Sequence, residues 1–233
     1  MTLVLWDVDG TLIKAGPAGR LAFADAVADV FGVEMPHHRL PRMSGKTDPQ
    51  IALEVLVELG IEATADHVDA LAAALVRALA ARVQQIRVEG EILPGVRAAI
   101  DALALAGAVQ TLVTGNVAPN AKVKLAAVGL LEDALPSSLR LEIGAYGSDH
   151  CDRDMLVPIA LRRCRDAGID VLLDATWVVG DTPRDLACAR AAGVRCLLVA
   201  TGTYGMDALE AAGADALVPD LTDTARVRDL LTA

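Results

Sequence analysis

The chain alternates between short apolar runs, each stopping abruptly in a polar or glycine-rich turn, and longer stretches with helical periodicity. Residues 3–6, 111–113, 177–179 and 196–200 are such runs, residues 216–218 form a weaker one, and residues 139–143 alternate more. Apolar runs without alternation suit strands buried on both faces, as in a parallel sheet. Residues 96–105, 117–128, 155–166 and 184–192 carry helical patterns between them. From about residue 91 onward this alternation predicts a doubly wound, Rossmann-like α/β core.

The stretch from 15 to 90 reads differently. Residues 21–30, 48–59 and 65–86 are Ala-rich and helical in pattern, with no strand signal between them. Thr47-Asp48-Pro49 places a capping side chain and a proline at a helix start, and Pro94-Gly95 marks the return to the core pattern. The expected organisation is a discontinuous α/β core, residues 1–14 and 91–233, with an all-helical cap inserted at 15–90.

Composition sharpens this picture in two ways. The 233 residues are 54% hydrophobic but only 3% aromatic, so the core must be built from Val, Leu, Ile and Ala. The formal net charge of −10 removes the basic footprint expected of a nucleic-acid or anionic-membrane binder. An anionic substrate must then be captured by local devices, against the net field. Asp7 and Asp9 interrupt the apolar N-terminal run, no run approaches the ~18 apolar residues of a membrane span, and the four cysteines (Cys151, Cys164, Cys188, Cys196) show no C-x-x-C spacing. A cytoplasmic protein with reduced thiols is expected.

Candidate chemistry follows three of the apolar runs. The first leads into Asp7-Val8-Asp9-Gly10-Thr11, the second into Thr114-Gly115-Asn116, and the third into Gly180-Asp181-Thr182-Pro183-Arg184-Asp185. In a parallel sheet these ends emerge on one edge, where open α/β sheets bind ligands. Crowded carboxylates take up protons unless a cation compensates them, and an oxygen-rich acidic set suits a hard ion such as Mg²⁺. Such an ion would also reverse the local sign and admit a phosphate. Gly10, Thr11, Gly115 and Asn116 offer backbone N–H groups at turn or helix starts for that anion.

These three motifs, in this order and at strand ends, resemble the haloacid-dehalogenase superfamily, and the helical insert after the first motif resembles its phosphoglycolate-phosphatase-like branch. The resemblance implies a Mg²⁺-dependent phosphatase acting on a small phosphorylated metabolite through an aspartyl-phosphate. Asp7 would be the nucleophile and Asp9 the general acid and base. Asp7, the backbone carbonyl of Asp9, and Asp181 would hold the ion, with Asp185 holding a metal-bound water. Thr114 would bind phosphoryl oxygens. The family also uses a lysine beside the nucleophile, commonly in a segment where this chain has Asp149-His150-Cys151-Asp152-Arg153 instead. Val117, Ala121, Lys124, Leu125 and Val128 form one helical stripe that excludes Lys122, which makes Lys124 the expected charge-neutralising residue and Arg153 its competitor. Arg42 and Lys46 are the insert's candidates for reaching an anionic substrate.

Three other functions are weighed against this one. A β-phosphoglucomutase-like phosphomutase would share the aspartyl-phosphate, but residues 13–23 lack the histidine that such enzymes place shortly after the first motif. Dehalogenation at carbon would need neither Asp9 nor Asp181. A non-catalytic phosphate-binding relative would be expected to have lost catalytic residues.

Overall fold

A strand with no solvated face must pair its backbone on both sides and bury side chains on both faces. In a computed structural model of the chain, which describes residues 1–133 and 138–233, the runs at 3–6, 111–113, 177–179 and 196–200 do both, and the weaker run at 216–218 is an edge strand. Strand β1 (Leu3–Trp6) turns into the short β2 (Ile13–Lys14), and helices α1 (Ala18–Phe31), α2 (Asp48–Glu58), α3 (Ala65–Ala81) and α4 (Val83–Glu89) precede β3 (Glu91–Ile92). The chain continues through α5 (Val96–Leu105), β4 (Val109–Thr114), α6 (Ala118–Ala127), α7 (Leu130–Asp133), β5 (Ala145–Tyr146) and α8 (Leu156–Asp166). It ends with β6 (Thr176–Gly180), α9 (Pro183–Ala191), β7 (Arg195–Val199), α10 (Met206–Ala212), β8 (Ala216–Val218) and α11 (Thr224–Thr232).

Six strands form a parallel sheet in the order β5-β4-β1-β6-β7-β8. Strand β1 is central: Leu3 aligns with Val109 of β4 on one side and Thr176 of β6 on the other. Successive side chains serve opposite faces. Val4 and Trp6 join one apolar cluster with Val179, Leu197 and Val199, whereas Leu3 and Leu5 join a second with Val178, Cys196 and Leu198. The second is covered by Leu156, Val157 and Ala160 of α8 and by Leu186 and Ala189 of α9. The first runs into α5 and on into the helical insert, through Ala22, Phe23, Leu56 and Leu79. The insert therefore shares apolar packing with one face of the sheet. Its two chain crossings are joined by a small antiparallel ribbon, β2 with β3.

A buried polar relay fixes β1 on β4. The Trp6 indole donates to Gln110 Oε1 at 3.1 Å, and Gln110 Nε2 donates to the Ile100 carbonyl at 2.8 Å.

Two expectations need correction. Residues 139–143, a candidate strand, do not form one. Residues Leu141–Ile143 make a 3₁₀ turn, and the edge strand is Ala145–Tyr146. The backbone at Arg140 is tied sideways to β4 instead, its N–H to the Gln110 carbonyl and its carbonyl to the Thr111 hydroxyl. The expected helix over 65–86 is two helices, broken at Arg82, whose guanidinium bonds Asp25 of α1. Neither a glycine nor a proline marks that break, so the periodicity runs through it. Among the described residues, no helix is long and apolar enough to cross a membrane.

Candidate active site

The polar ends of β1, β4 and β6 lie side by side because those strands are adjacent and parallel. The chain leaving β1 wraps into a tight turn in which the Leu12 and Ile13 amides both donate to the Val8 carbonyl. Gly10 holds φ 88°, and a Cβ on it would lie 2.6 Å from Asp181 Oδ2, so only glycine lets the first and third motifs approach this closely. The Gly10 N–H, expected as an anion donor, already donates to the Ile13 carbonyl at 2.8 Å because the turn closes on itself. Thr11 is fully buried, with its hydroxyl 3.4 Å from Asp181 Oδ1. Both residues shape the turn.

Asp7, Asp181 and Asp185 form an acidic group in which one oxygen of each lies within 4.8 Å of the others. Burial pushes the Asp7 carboxyl above its usual range, with Asp185 and Asp9 pushing the same way and Arg153 opposing. Burial likewise raises Asp181, reinforced by Asp185 and Asp7. Arg153 lies between two of the three: its Nη2 is 3.0 Å from Asp7 Oδ1 and also donates to Asp185 Oδ1. The second oxygen of Asp185 accepts the Thr182 N–H at 2.9 Å and the Thr182 hydroxyl at 2.7 Å, completing a capping box at the start of α9. Asp185 is thus bonded through both oxygens to protein donors, while Asp7 and Asp181 remain the more open members. An all-oxygen, buried, mutually repelling set of this kind fits a hard divalent cation.

Beside it lies a second pole. Lys124 is 7% exposed, and its Nζ is 2.6 Å from both Asp9 Oδ2 and Asn116 Oδ1. Asn116 Nδ2 donates to Asp9 Oδ2 at 2.8 Å and to Thr114 Oγ1 at 2.9 Å. The Asn116 side chain therefore ties the ends of β1 and β4 to α6. The Asp9 side chain belongs to this pole and lies outside the acidic group; only its backbone remains for the metal role expected of it. Lys124 and Arg153, expected as competitors, occupy different poles: Lys124 serves Asp9, and Arg153 serves Asp7.

The insert closes directly on this arrangement. Gly115 packs so tightly beneath the Lys46 carbonyl that a Cβ would not fit, and its own carbonyl accepts the Asp48 N–H at 2.8 Å. The Lys46 ammonium pairs with Glu54 of α2, and Arg42 is exposed. Neither is joined to the two poles by a hydrogen bond here. His37 and His38 are exposed and contact each other edge to face.

Several contributors escape a reading of the sequence. The bridging role of Asn116 depends on side-chain direction, which spacing does not carry. Thr182 was findable, because Thr-x-x-Asp before a helix is a capping-box pattern. Asp48 is legible as a helix start, but its carboxylate turns outward to a different element: it accepts the Val117 N–H at 2.8 Å.

Comparison with known proteins is consistent with this site. The family model of haloacid dehalogenase-like hydrolases matches residues 4–190. A phosphoglycolate phosphatase of Cupriavidus necator is 32% identical over 220 residues, covering 94% of this chain and 90% of its own length. A phosphoglycolate phosphatase of Rhodospirillum rubrum is 27% identical over 218 residues, covering 93% and 86%. The crystal structure of a hydrolase from Pseudomonas syringae superposes with a TM-score of 0.72 at 20% identity, covering 100% of both chains, a likeness of fold.

Proposed function

Because the chain belongs to the haloacid dehalogenase-like hydrolases, we propose that it is a phosphatase acting on a small organic phosphomonoester. The observation that carries this reading is the pairing of an acidic pole, Asp7 with Asp181 and Asp185, with a cationic one, Lys124 on Asp9 and Asn116. The names of the curated relatives point to a two-carbon acid phosphate, 2-phosphoglycolate, as the first substrate to try.

In this reading Asp7 attacks phosphorus and the alkoxide leaves, forming an aspartyl-phosphate. Asp9 gives the departing oxygen a proton, then removes one from the water that attacks the phosphorus, breaking the Asp7–phosphorus bond and releasing inorganic phosphate and the free carboxylate. A phosphoryl group at residues 114–116 competes with Asp9 for Lys124 and frees the Asp9 carboxyl to carry that proton. The Thr114 hydroxyl, which accepts both the side-chain and the backbone N–H of Asn116, and the backbone amide of Gly115 then hold phosphoryl oxygens. Arg153, anchored by Asp185, holds Asp7 in place. The side chains of Asp7 and Asp181, with the Asp9 carbonyl, would hold Mg²⁺, which would neutralise the acidic pole and stabilise charge on the transferring group. Residues 15–90 act as a cap that excludes water during transfer, with Lys46 and Arg42 at its rim.

The test is phosphate release from a panel of small phosphomonoesters, 2-phosphoglycolate included, with Mg²⁺ or with EDTA. Release that requires Mg²⁺ and favours a short acidic ester supports the reading. No release from any ester contradicts it.

A further inference from the structure

We propose that Asp48 is a positioning residue that locks the helical insert onto the anion-binding turn after β4, and that residues 114–117 and Lys124 are held in working register by it. This rests on the phosphatase reading for its kinetic consequence but not for its structural one.

Asp48 is the first residue of α2, yet its carboxylate does not serve α2. Thr47 caps that helix, accepting the Gln50 N–H. The Asp48 carboxylate crosses the seam and accepts the Val117 N–H at 2.8 Å, capping α6, whose own N-cap residue is Val117 and offers no side-chain acceptor. The Asp48 N–H donates to the Gly115 carbonyl at 2.8 Å, so one residue grips the turn at two points. The Thr47 hydroxyl bonds the Cys151 carbonyl at 2.5 Å, in the loop that delivers Arg153. Two consecutive insert residues therefore hold the turn that leads into α6, which carries Lys124, and the loop that leads to Arg153.

This placement is selective. The helix whose start Asp48 grips, α6, also carries Lys124, about two turns further on. A carboxylate at a helix N-terminus is favoured by the free amides and the helix dipole. Opening the insert breaks both Asp48 contacts to the turn that carries Asn116, the bridge between Thr114 and Asp9. Closure and assembly of the anion site are then one event. An acceptor atom at position 48 is what the geometry requires; asparagine supplies it and alanine does not.

The experiment compares the full-length protein with Asp48→Asn and Asp48→Ala, using hydrogen exchange at the Val117 and Asp48 amides and Mg²⁺-supported hydrolysis of 2-phosphoglycolate. Asp48→Ala is expected to speed exchange at both amides at least tenfold while β1, β4 and β6 stay protected, and to lower kcat tenfold or more with a smaller change in KM. Asp48→Asn is expected to stay within about threefold of the parent in kcat. Unchanged exchange in Asp48→Ala overturns the proposal, as does an Asp48→Asn variant as impaired as the alanine one. If the parent protein releases no phosphate, the functional reading falls, and the exchange result still decides whether Asp48 locks the seam.

Discussion

Two carboxylates two positions apart, Asp7 and Asp9, end in opposite electrostatic settings. Asp7 faces Asp181, Asp185 and Arg153, while Asp9 faces Lys124 and Asn116. Alternation along an extended chain sends neighbours but one the same way, but β1 ends at Trp6 and the turn closed on the Val8 carbonyl begins between these two. Lys124 is expected to matter through charge: Lys124→Ala should lower kcat about 100-fold, the scale of losing one charge-stabilising donor, with folding intact by thermal melt. A kcat within a few-fold of the parent would assign the neutralising role elsewhere. Asp48 supplies a stability prediction. Burial raises its carboxyl to about 6, although Lys124 and the Val117 N–H pull it down; Asp9 adds to the rise. A raised carboxyl binds its proton more tightly in the folded state, so folding stability falls as pH climbs from about 4 to about 6, and the cost persists above. Asp48→Asn removes this cost. Its melting temperature relative to the parent should therefore rise between pH 4 and pH 6.5; a difference that stays flat with pH would contradict the assignment.

At the level of elements, the central strands were readable because burial on both faces leaves a continuous apolar run, as in Leu3–Trp6 and Trp177–Val179. The apolar stripe on α6 likewise places Lys124 on the buried side from sequence alone. Elements held by long-range partners were not readable. The ribbon of β2 with β3 is two residues on each side, too short for any period, and pairs across the whole insert. The break at Arg82 depends on Asp25, 57 positions away. Residues 139–143 alternate and so resemble a strand, but hydrogen bonds to Gln110 and Thr111 turn the backbone aside. The relay through Gln110 separates fold from chemistry. Gln110→Leu leaves the buried Trp6 N–H without its acceptor, so denaturant melts should show a loss of about 1–3 kcal/mol, with kcat unchanged per folded molecule. A fall in kcat would instead mean that β4 transmits strain to Thr114.

For the whole molecule, the net charge of −10 set the original problem of how an acidic protein handles a phosphate. The sheet order answers it by gathering acids at the ends of β1 and β6 and a buried lysine from α6 beside them. The acidic pole repels any anion until a cation occupies it, so ion binding and folding should be linked. Mg²⁺ at a hundredfold excess over its Kd should stabilise the protein by about 3 kcal/mol, read as a rise in melting temperature, and Asp181→Asn should abolish most of that rise. An equal shift in both proteins would place the ion outside this group. The specificity of the insert was the least legible part of the sequence: Lys46 and Arg42 were its visible cations, yet Lys46 is engaged by Glu54 and the seam is held by an acid, Asp48.

In the proposed mechanism Asp7 carries the phosphoryl group. The most direct measurement of that role is steady-state phosphate release from 2-phosphoglycolate and p-nitrophenyl phosphate by the parent protein and by Asp7→Asn, in Mg²⁺. The account predicts turnover by the parent and a loss of at least about 1,000-fold in the variant, with an unchanged fold by circular dichroism. Comparable turnover by a folded Asp7→Asn protein would contradict it.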